Sequence, residues 1–345
     1  MLYCSEHFSG HLFEEGMTKQ TFLNHYERSA LNFFAANPLD RLALKRRDPA
    51  WLLEQLSAPT SRIVPVWQSK SLLNNQAIVQ AVLVEPSAVP ELLNAVEFIL
   101  LGAYDGITYF AVDLSATETA LVESLHQLGS FQDLWATNHG LDAKTAAILA
   151  YAKGMAYWHQ RHRFCGDCGS PTESKDGGFV RKCTNPACAK QHFPRTDPAI
   201  IVLVHADDKC LLARQASWPA GRYSVVAGFV EPGESLEDAV KREVGEETNI
   251  TVASVQYHSS QPWPFPGSLM VGYTAEAASF DFHYADQELE HARWFSRAEI
   301  VAEIEQGTLK LPPNISISHR LIESWFDDGE QGKLSDLLAK QVGKW

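Results

Sequence analysis

Four of the six cysteines in this chain crowd into one short segment, spaced as Cys165-x2-Cys168, fourteen residues, then Cys183-x4-Cys188. Two thiol pairs on tight turns, joined by a hairpin, converge tetrahedrally on one zinc ion. Gly166, Gly169, Pro186 and the run Asp176-Gly177-Gly178 supply the turns that such a hairpin needs. Four thiolates close the coordination sphere, so the expected metal is structural and does not activate water. The bland alternative is four free thiols that are merely neighbours in sequence. Six cysteines in 345 residues are too few for a disulfide scaffold, and Cys4 and Cys210 read as unpaired thiols. Met1 to Gly16 carries Glu6, Glu14 and Glu15 and has neither a basic start nor an apolar core, so no export signal is expected. A reducing, cytoplasmic setting follows.

The remaining chain is long enough for two further domains, with 45% apolar and 21% charged residues, ordinary globular values. Ahead of the cysteines, apolar runs predict strands at Ile63–Trp67, Ala77–Val84 and Ile107–Leu114, with a turn at Tyr104-Asp105-Gly106. Helices are expected at Ala88–Val96, Thr117–Leu128 and from an Asp142 cap to about Arg163. Behind them, strands are expected at Ala199–Val204, Cys210–Arg214, Ser224–Val230, Thr251–Tyr257 and Leu269–Ala277, and helices at Ser235–Thr248, Arg297–Glu305 and Ile317–Phe326. The division is a mixed α/β domain over 1–158, the cysteine module over 159–195, an α/β domain over 196–330 and a tail over 331–345.

With 29 Lys and Arg against 42 Asp and Glu the chain carries −13, which disfavours broad binding to DNA or anionic membrane, and no apolar stretch is long enough to span a bilayer. The cysteine module runs against this trend: seven basic against three acidic side chains give it +4, leaving −17 elsewhere. It is either a solvated surface or a basic rim for a phosphorylated substrate.

The segment Gly228 to Ile250 holds the chemistry. Ser235 is placed to cap a helix, with Asp238 three residues on to reach back. Leu236, Ala239, Val240 and Val244 form an apolar stripe at 100° per residue, and Glu243 and Glu247 fall inside it. Two unpaired carboxylates on a buried face are costly. A divalent cation resolves the conflict, because carboxylates at i and i+4, with Glu246 beside them, make a hard oxygen face for Mg²⁺ or Mn²⁺ that can also bridge phosphates. The bland alternative is an exposed helix with intrahelical ion pairs, such as Glu243 with its neighbour Arg242 and Asp238 with Lys241. Gly245 costs roughly 1 kcal/mol of helix propensity, for which close packing is the expected reason.

The pattern G-x5-E-x7-R-E-U-x-E-E-x-G-U, with U bulky and aliphatic, is matched by Gly228, Glu234, Arg242, Glu243, Val244, Glu246, Glu247 and Ile250, and it resembles the Nudix box. Asn249 stands where that family has its last glycine, a position expected to be left-handed and one that Asn tolerates. Beyond the box, Ser260-Gln261-Pro262-Trp263-Pro264-Phe265-Pro266-Gly267-Ser268 cannot be helix or a central strand. Its aromatics either fill a core or present a stiff Trp, beside Gln261 and Ser268, to a flat heterocycle. This segment looks like the SQPWPFPxS motif of NADH pyrophosphatases of the NudC type, which also carry a four-cysteine zinc ribbon ahead of the Nudix domain.

The resemblance implies a Nudix α/β/α sandwich and hydrolysis of the pyrophosphate of NADH, and less efficiently NAD⁺, to AMP and nicotinamide mononucleotide. It implies more than one Mg²⁺ or Mn²⁺ held by Glu243, Glu247, Glu288 and the Ala227 carbonyl, with Glu246 a further ligand or a base and Arg242 orienting a glutamate. Ser318 corresponds to a small residue at the substrate pocket, Phe193 to a substrate-contacting Tyr that here lacks its hydroxyl, and Gly178 to a contacting Glu in some members. A homodimer is also implied. The alternatives are removal of an NAD cap from RNA by the same chemistry, and a ligand-sensing regulator that keeps the fold without hydrolysis.

Overall fold

The computed structural model describes residues 23–95, 97–117, 119–135, 140–281 and 289–340. The first stretch contains the helices α1 (His25–Ala30) and α2 (Pro49–Ser57), the latter capped by Asp48 with Pro49 at its first position. A five-stranded sheet follows: β1 (Ser61–Trp67), β2 (Lys70–Leu73), β3 (Phe98–Tyr104), β4 (Ile107–Asp113) and β5 (Ser130–Gln132), in the order β3-β4-β1-β2-β5. The β3–β4 hairpin turns at Asp105 and Gly106, both with positive φ, as the Tyr-Asp-Gly signal predicts. The short helices α3 (Pro90–Ala95) and α4 (Thr119–His126) flank the sheet, and the nineteen-residue α5 (Ala143–Arg161) closes it, its first turn capped by Asp142 on the Thr145 amide at 3.0 Å.

The run at Ala77–Val84 is not a strand. β2 occupies the edge of β1 at Val66 and Trp67, and the 77–84 run meets the same strand lower down, at the single bridge Ile63–Val84, and meets β2 at Leu73–Ala81. Two strands sharing one edge leave neither segment room for a continuous ladder.

The cysteine module is a three-stranded sheet of β6 (Thr172–Lys175), β7 (Val180–Cys183) and β8 (Gln191–His192). It docks on the first domain: Arg181 bonds Glu97 at 2.6 Å, His159 of α5 bonds the Gly178 carbonyl at 2.8 Å, and Gly178, at φ +91°, lies so close to Ile99 that a Cβ would be crowded. Gly178 is therefore a packing position.

The last domain is built on β9 (Asp197–Ala206), β10 (Lys209–Arg214), β11 (Val226–Phe229), β12 (Val252–Trp263), β13 (Ser268–Ala277) and β14 (His291–Ser296), ordered β12-β13-β9-β10-β14 with β11 on β9. The helix α6 (Leu236–Thr248) covers one face, and α7 (Arg297–Gln306), α8 (Ile317–Asp327) and α9 (Leu334–Ala339) the other. The two-residue period of β9 divides it between the layers: Ile200, Val202 and Val204 pack with Ala239, Val240 and Val244, whereas Ile201 and Leu203 pack with Phe295, Leu321 and Phe326. Each such buried aliphatic contributes about 1.5–3 kcal/mol of transfer free energy. This is the expected α/β/α sandwich. β12 is an edge strand, which is why it tolerates Pro262. No helix among the described residues is long and apolar enough to cross a membrane.

Candidate active site

The α6 helix begins with a reciprocal cap: Ser235 Oγ accepts from the Asp238 amide at 3.1 Å, and Asp238 accepts from the Ser235 hydroxyl at 2.6 Å. Those bonds hold the Asp238 carboxyl below its ordinary pKa. The helix ends at Asn249 in the left-handed region, φ 56° and ψ 17°, where its amide bonds the Gly245 carbonyl. A Cβ at Gly245 would meet open space, so close packing does not explain that glycine.

Arg242 organises the carboxylates. Its Nε and Nη2 donate to both oxygens of Glu234 at 2.5 and 3.0 Å, Nη1 donates to Glu243 and Glu246 at 2.9 Å each, and Nη2 also reaches the Phe229 carbonyl at 2.9 Å. These bonds, Glu234 first, raise the Arg242 pKa further, so it remains a cation and takes no part in proton transfer; in turn Arg242 holds Glu234 well into the ionised range. One guanidinium thus ties the loop after β11 to the carboxylate face of α6. The box glycine, Gly228, lies directly beneath the Glu243 carboxylate, which would overlap any Cβ there. Glu247 is 6% exposed and faces the interior, as the stripe requires.

Two recesses meet at Ala227, Trp263 and Met270. One, of about 540 Å³, is lined by Gly228, Phe229, Arg242, Glu243, Glu246, Phe265 and Ser268; the other, of about 320 Å³, by Glu247, Gln261, Trp218, Ser224 and Leu289. The carboxylates therefore lie along one wall of a continuous cleft whose other wall is the β12–β13 hairpin. Glu243 and Glu246 open on the first recess and Glu247 on the second, and among the described residues their carboxylates are not drawn within 4.8 Å of one another as the four cysteine sulfurs are. As hard oxygen donors beside the exposed backbone of Ala227 they suit Mg²⁺ or Mn²⁺. Glu288 lies outside the described residues, and its neighbour Leu289 lines the second recess.

The hairpin residues divide. Trp263, Phe265, Ser268 and Gln261 face the cleft, whereas Pro262, Pro264 and Gly267 line a separate cavity behind it. Gln261 is a brace: its Nε2 donates to the Phe33 and Ile315 carbonyls at 2.7 Å each, and its Oε1 accepts from the Ile317 amide at 2.8 Å, which spends both donors. Pro266 lines none of these recesses. Ser318 is buried against Ser224, their hydroxyls 2.7 Å apart, so it touches the cleft through Ser224. Phe193 is half-exposed and lines neither recess.

Sequence reasoning missed what holds the hairpin. Trp263 and Phe265 make edge contacts with Trp135 at 5.3 and 5.8 Å and ring contacts with Phe34 at 6.3 and 5.9 Å, and the buried Lys153 ammonium lies 4.2 Å from the Phe265 centroid. All three partners belong to the first domain. No local signal marks them, because each is distant in sequence from the hairpin.

In the cysteine module the four sulfurs lie within 4.8 Å of one another, with Cys168 and Cys183 3.4 Å apart and Cys165 and Cys188 3.8 Å apart. Tetrahedral Zn–S bonds of about 2.3 Å place sulfurs at about this spacing. Hydrogen bonds from Ser170 bring the Cys168 thiol down to about 6, while burial pushes Cys183 up to about 12, a cost that a bound cation offsets. The His192 ring approaches Cys165 Sγ at 3.4 Å, a contact of the kind that orients metal ligands.

Three family models match successive segments between residues 60 and 314: an NADH pyrophosphatase-like rudimentary NUDIX domain over 60–158, an NADH pyrophosphatase zinc ribbon domain over 160–193 and a NUDIX domain over 194–314. The chain is 31% identical to NAD-capped RNA hydrolase NUDT12 of Homo sapiens, over 90% of its own length and 77% of that relative's. It is 37% identical to the mitochondrial NAD(P)H pyrophosphatase NUDT13 of Homo sapiens, over 64% of this chain and 68% of the other. To NAD-capped RNA hydrolase NudC of Mycobacterium bovis it is 42% identical, over 56% and 64%.

Proposed function

Because the chain belongs to the Nudix hydrolase family, in its zinc-ribbon NADH pyrophosphatase branch, we propose that it splits the pyrophosphate of NADH, and also NAD⁺, into AMP and the nicotinamide mononucleotide. The observation that carries this reading is the cleft itself: carboxylates ordered by Arg242 on one wall, an aromatic hairpin on the other. A doubly charged pyrophosphate is repelled by Glu243, Glu246 and Glu247 unless cations intervene. Bound at these glutamates, Mg²⁺ or Mn²⁺ would neutralise the pyrophosphate and acidify water beside the reacting phosphorus. Glu243, Glu247, the Ala227 carbonyl and Glu288 are the groups that would hold them. Arg242 is a positioning residue: it fixes Glu243 and Glu246 and stays charged throughout. Glu246, whose Oε2 accepts from Arg242, would serve as a further ligand or as the base that takes the proton the attacking water loses. Trp263 and Phe265 offer ring faces and edges to the base or nicotinamide, so the hairpin selects while the helix reacts.

The same chemistry serves a second substrate, RNA capped with NAD, which two of the relatives take by name. A homodimer and a reducing compartment such as the cytoplasm complete the reading, the latter because four thiols gathered for a metal need to stay reduced.

The test is product analysis after incubation with Mg²⁺ or Mn²⁺ and NADH, NAD⁺, ADP-ribose or NAD-capped RNA. NADH is expected to yield AMP, and chelation to abolish it. Equal turnover of ADP-ribose would sink the nicotinamide dinucleotide preference, and turnover of nothing would favour a sensor. Glu247→Gln is expected to stay folded and lose about 100-fold or more in kcat; near-normal activity refutes its role.

A further inference from the structure

Behind the hairpin lies a cavity of about 760 Å³, larger than either recess of the cleft and used by none of the chemistry above. Three parts of the chain meet in it: the loop with Arg41 and Arg46, α5 with Tyr151, Tyr157, Trp158 and Arg161, and the segment from Pro194 to Asp197 that leaves the zinc module with Arg195. Its fourth side is the back of the hairpin, and Trp263 and Ser268 line both this cavity and the cleft.

Four guanidinium groups face this space in a chain of net charge −13, and among the described residues none of the four forms an ion pair. Among the described residues its lining contains one carboxylate, Asp197. Arg41 and Arg46 are held flat, 3.6 Å over the Tyr151 ring and 3.3 Å over Phe179, so their edges are presented without a long search through rotamers. Two buried donors here have no protein acceptor among the described residues: the Nε of Arg46 and the indole Nε1 of Trp158, a residue only 4% exposed. Arg41, Arg161 and Arg195 are exposed and solvated, so the demand for an acceptor comes from the two buried donors, and an anion with several acceptor oxygens fits them and the cations around them together.

Building on the diphosphatase reading, we infer that this cavity is a second anion site, holding a phosphate ester of a nucleotide that lies beyond the scissile pyrophosphate. Its volume takes a nucleotide, and Trp263 and Ser268, which line both spaces, set it directly beside the cleft. Two sources supply that chemistry: the first phosphodiesters of an RNA whose 5′ end is the dinucleotide, or a separate small nucleotide.

The test compares the zinc-loaded wild type with the paired variants Arg41→Gln/Arg46→Gln and Arg161→Gln/Arg195→Gln. Turnover of NADH and of an NAD-capped RNA decamer is followed, together with binding of the uncapped 5′-phosphorylated decamer and of AMP. The expected result is an unchanged kcat/KM for NADH, a KM for the capped decamer raised roughly tenfold and a shallower salt dependence. Loss of AMP binding with an unchanged decamer KM supports the site and assigns it to a separate nucleotide. Equal losses on NADH and the decamer, or no change in any arm, overturn the inference. The second pair is exposed and guards against a folding defect in the first. If the wild type turns over neither substrate the diphosphatase reading fails, and the two binding arms still decide whether the site exists.

Discussion

Gly228 shows how narrowly the reactive geometry is set at the level of single residues. Its hydrogen side chain lets the Glu243 carboxylate rest on the backbone, and any larger residue must push that carboxylate aside. Gly228→Ala is therefore expected to reduce kcat by about 100-fold or more, as misplacement of a reacting group by about 1 Å does, with little change in melting temperature. Steady-state kinetics beside a thermal melt checks both halves. A second residue sets a pH limit. His258, whose Nδ1 bonds Ser259 at 2.8 Å while Nε2 has no partner among the described residues, is pushed down to about 4 by burial, helped by Arg28 and His25. Its folded pKa lies below the unfolded value of about 6.5, so the unfolded chain binds more protons between those pH values and stability falls as pH drops through that window. The loss attributable to this one group is roughly 3 kcal/mol between pH 7 and pH 4. His258→Asn is expected to flatten the acid side of the stability curve, and identical curves for the two proteins would remove His258 from the account. Sequence alone revealed the box residues and the left-handed Asn249, because their signals are local. It assigned Gly245 to packing, and that failed because a helical glycine announces a missing side chain without saying what stands opposite.

Secondary-structure elements were legible wherever a cap or a period declared them. Asp142 and Ser235 start their helices as their spacing predicts, and β9 and β13 follow their apolar runs. The Ala77–Val84 run has the composition of a strand yet forms none, since the edge it needs is already taken by β2, a fact of topology that no window of residues contains. The zinc module joins the two kinds of information. Its spacing was readable; its docking through Arg181, Gly178 and His159 was not. That docking makes the metal more than a local clasp. Stripping zinc with a chelator is expected to lower the melting temperature of the whole protein by roughly 5 °C or more, with recovery when zinc is returned. An unchanged melt would mean that the four sulfurs hold nothing.

At the scale of the whole molecule, the first domain acquires a task. The hairpin that lines the cleft is hydrogen-bonded into one sheet, while its two aromatic rings pack among Phe34, Trp135 and Lys153 of the first domain. Each aromatic pair contributes about 0.5–1.5 kcal/mol beyond its area. Trp135→Ala removes two of them without touching a carboxylate. It is expected to raise the KM for NADH roughly tenfold while kcat stays within a few-fold, and an equal fall in both would mean that the domain acts on the reacting groups instead. The long-range pairs behind this prediction could not be read from the sequence, because Phe34 and Trp135 carry no pattern that points to residues more than a hundred positions away. The same arrangement bears on heredity. A crossover anywhere between residues 135 and 263 would hand a descendant one parent's rings and the other parent's sockets, so the modules that look separable along the chain are bound to be inherited together.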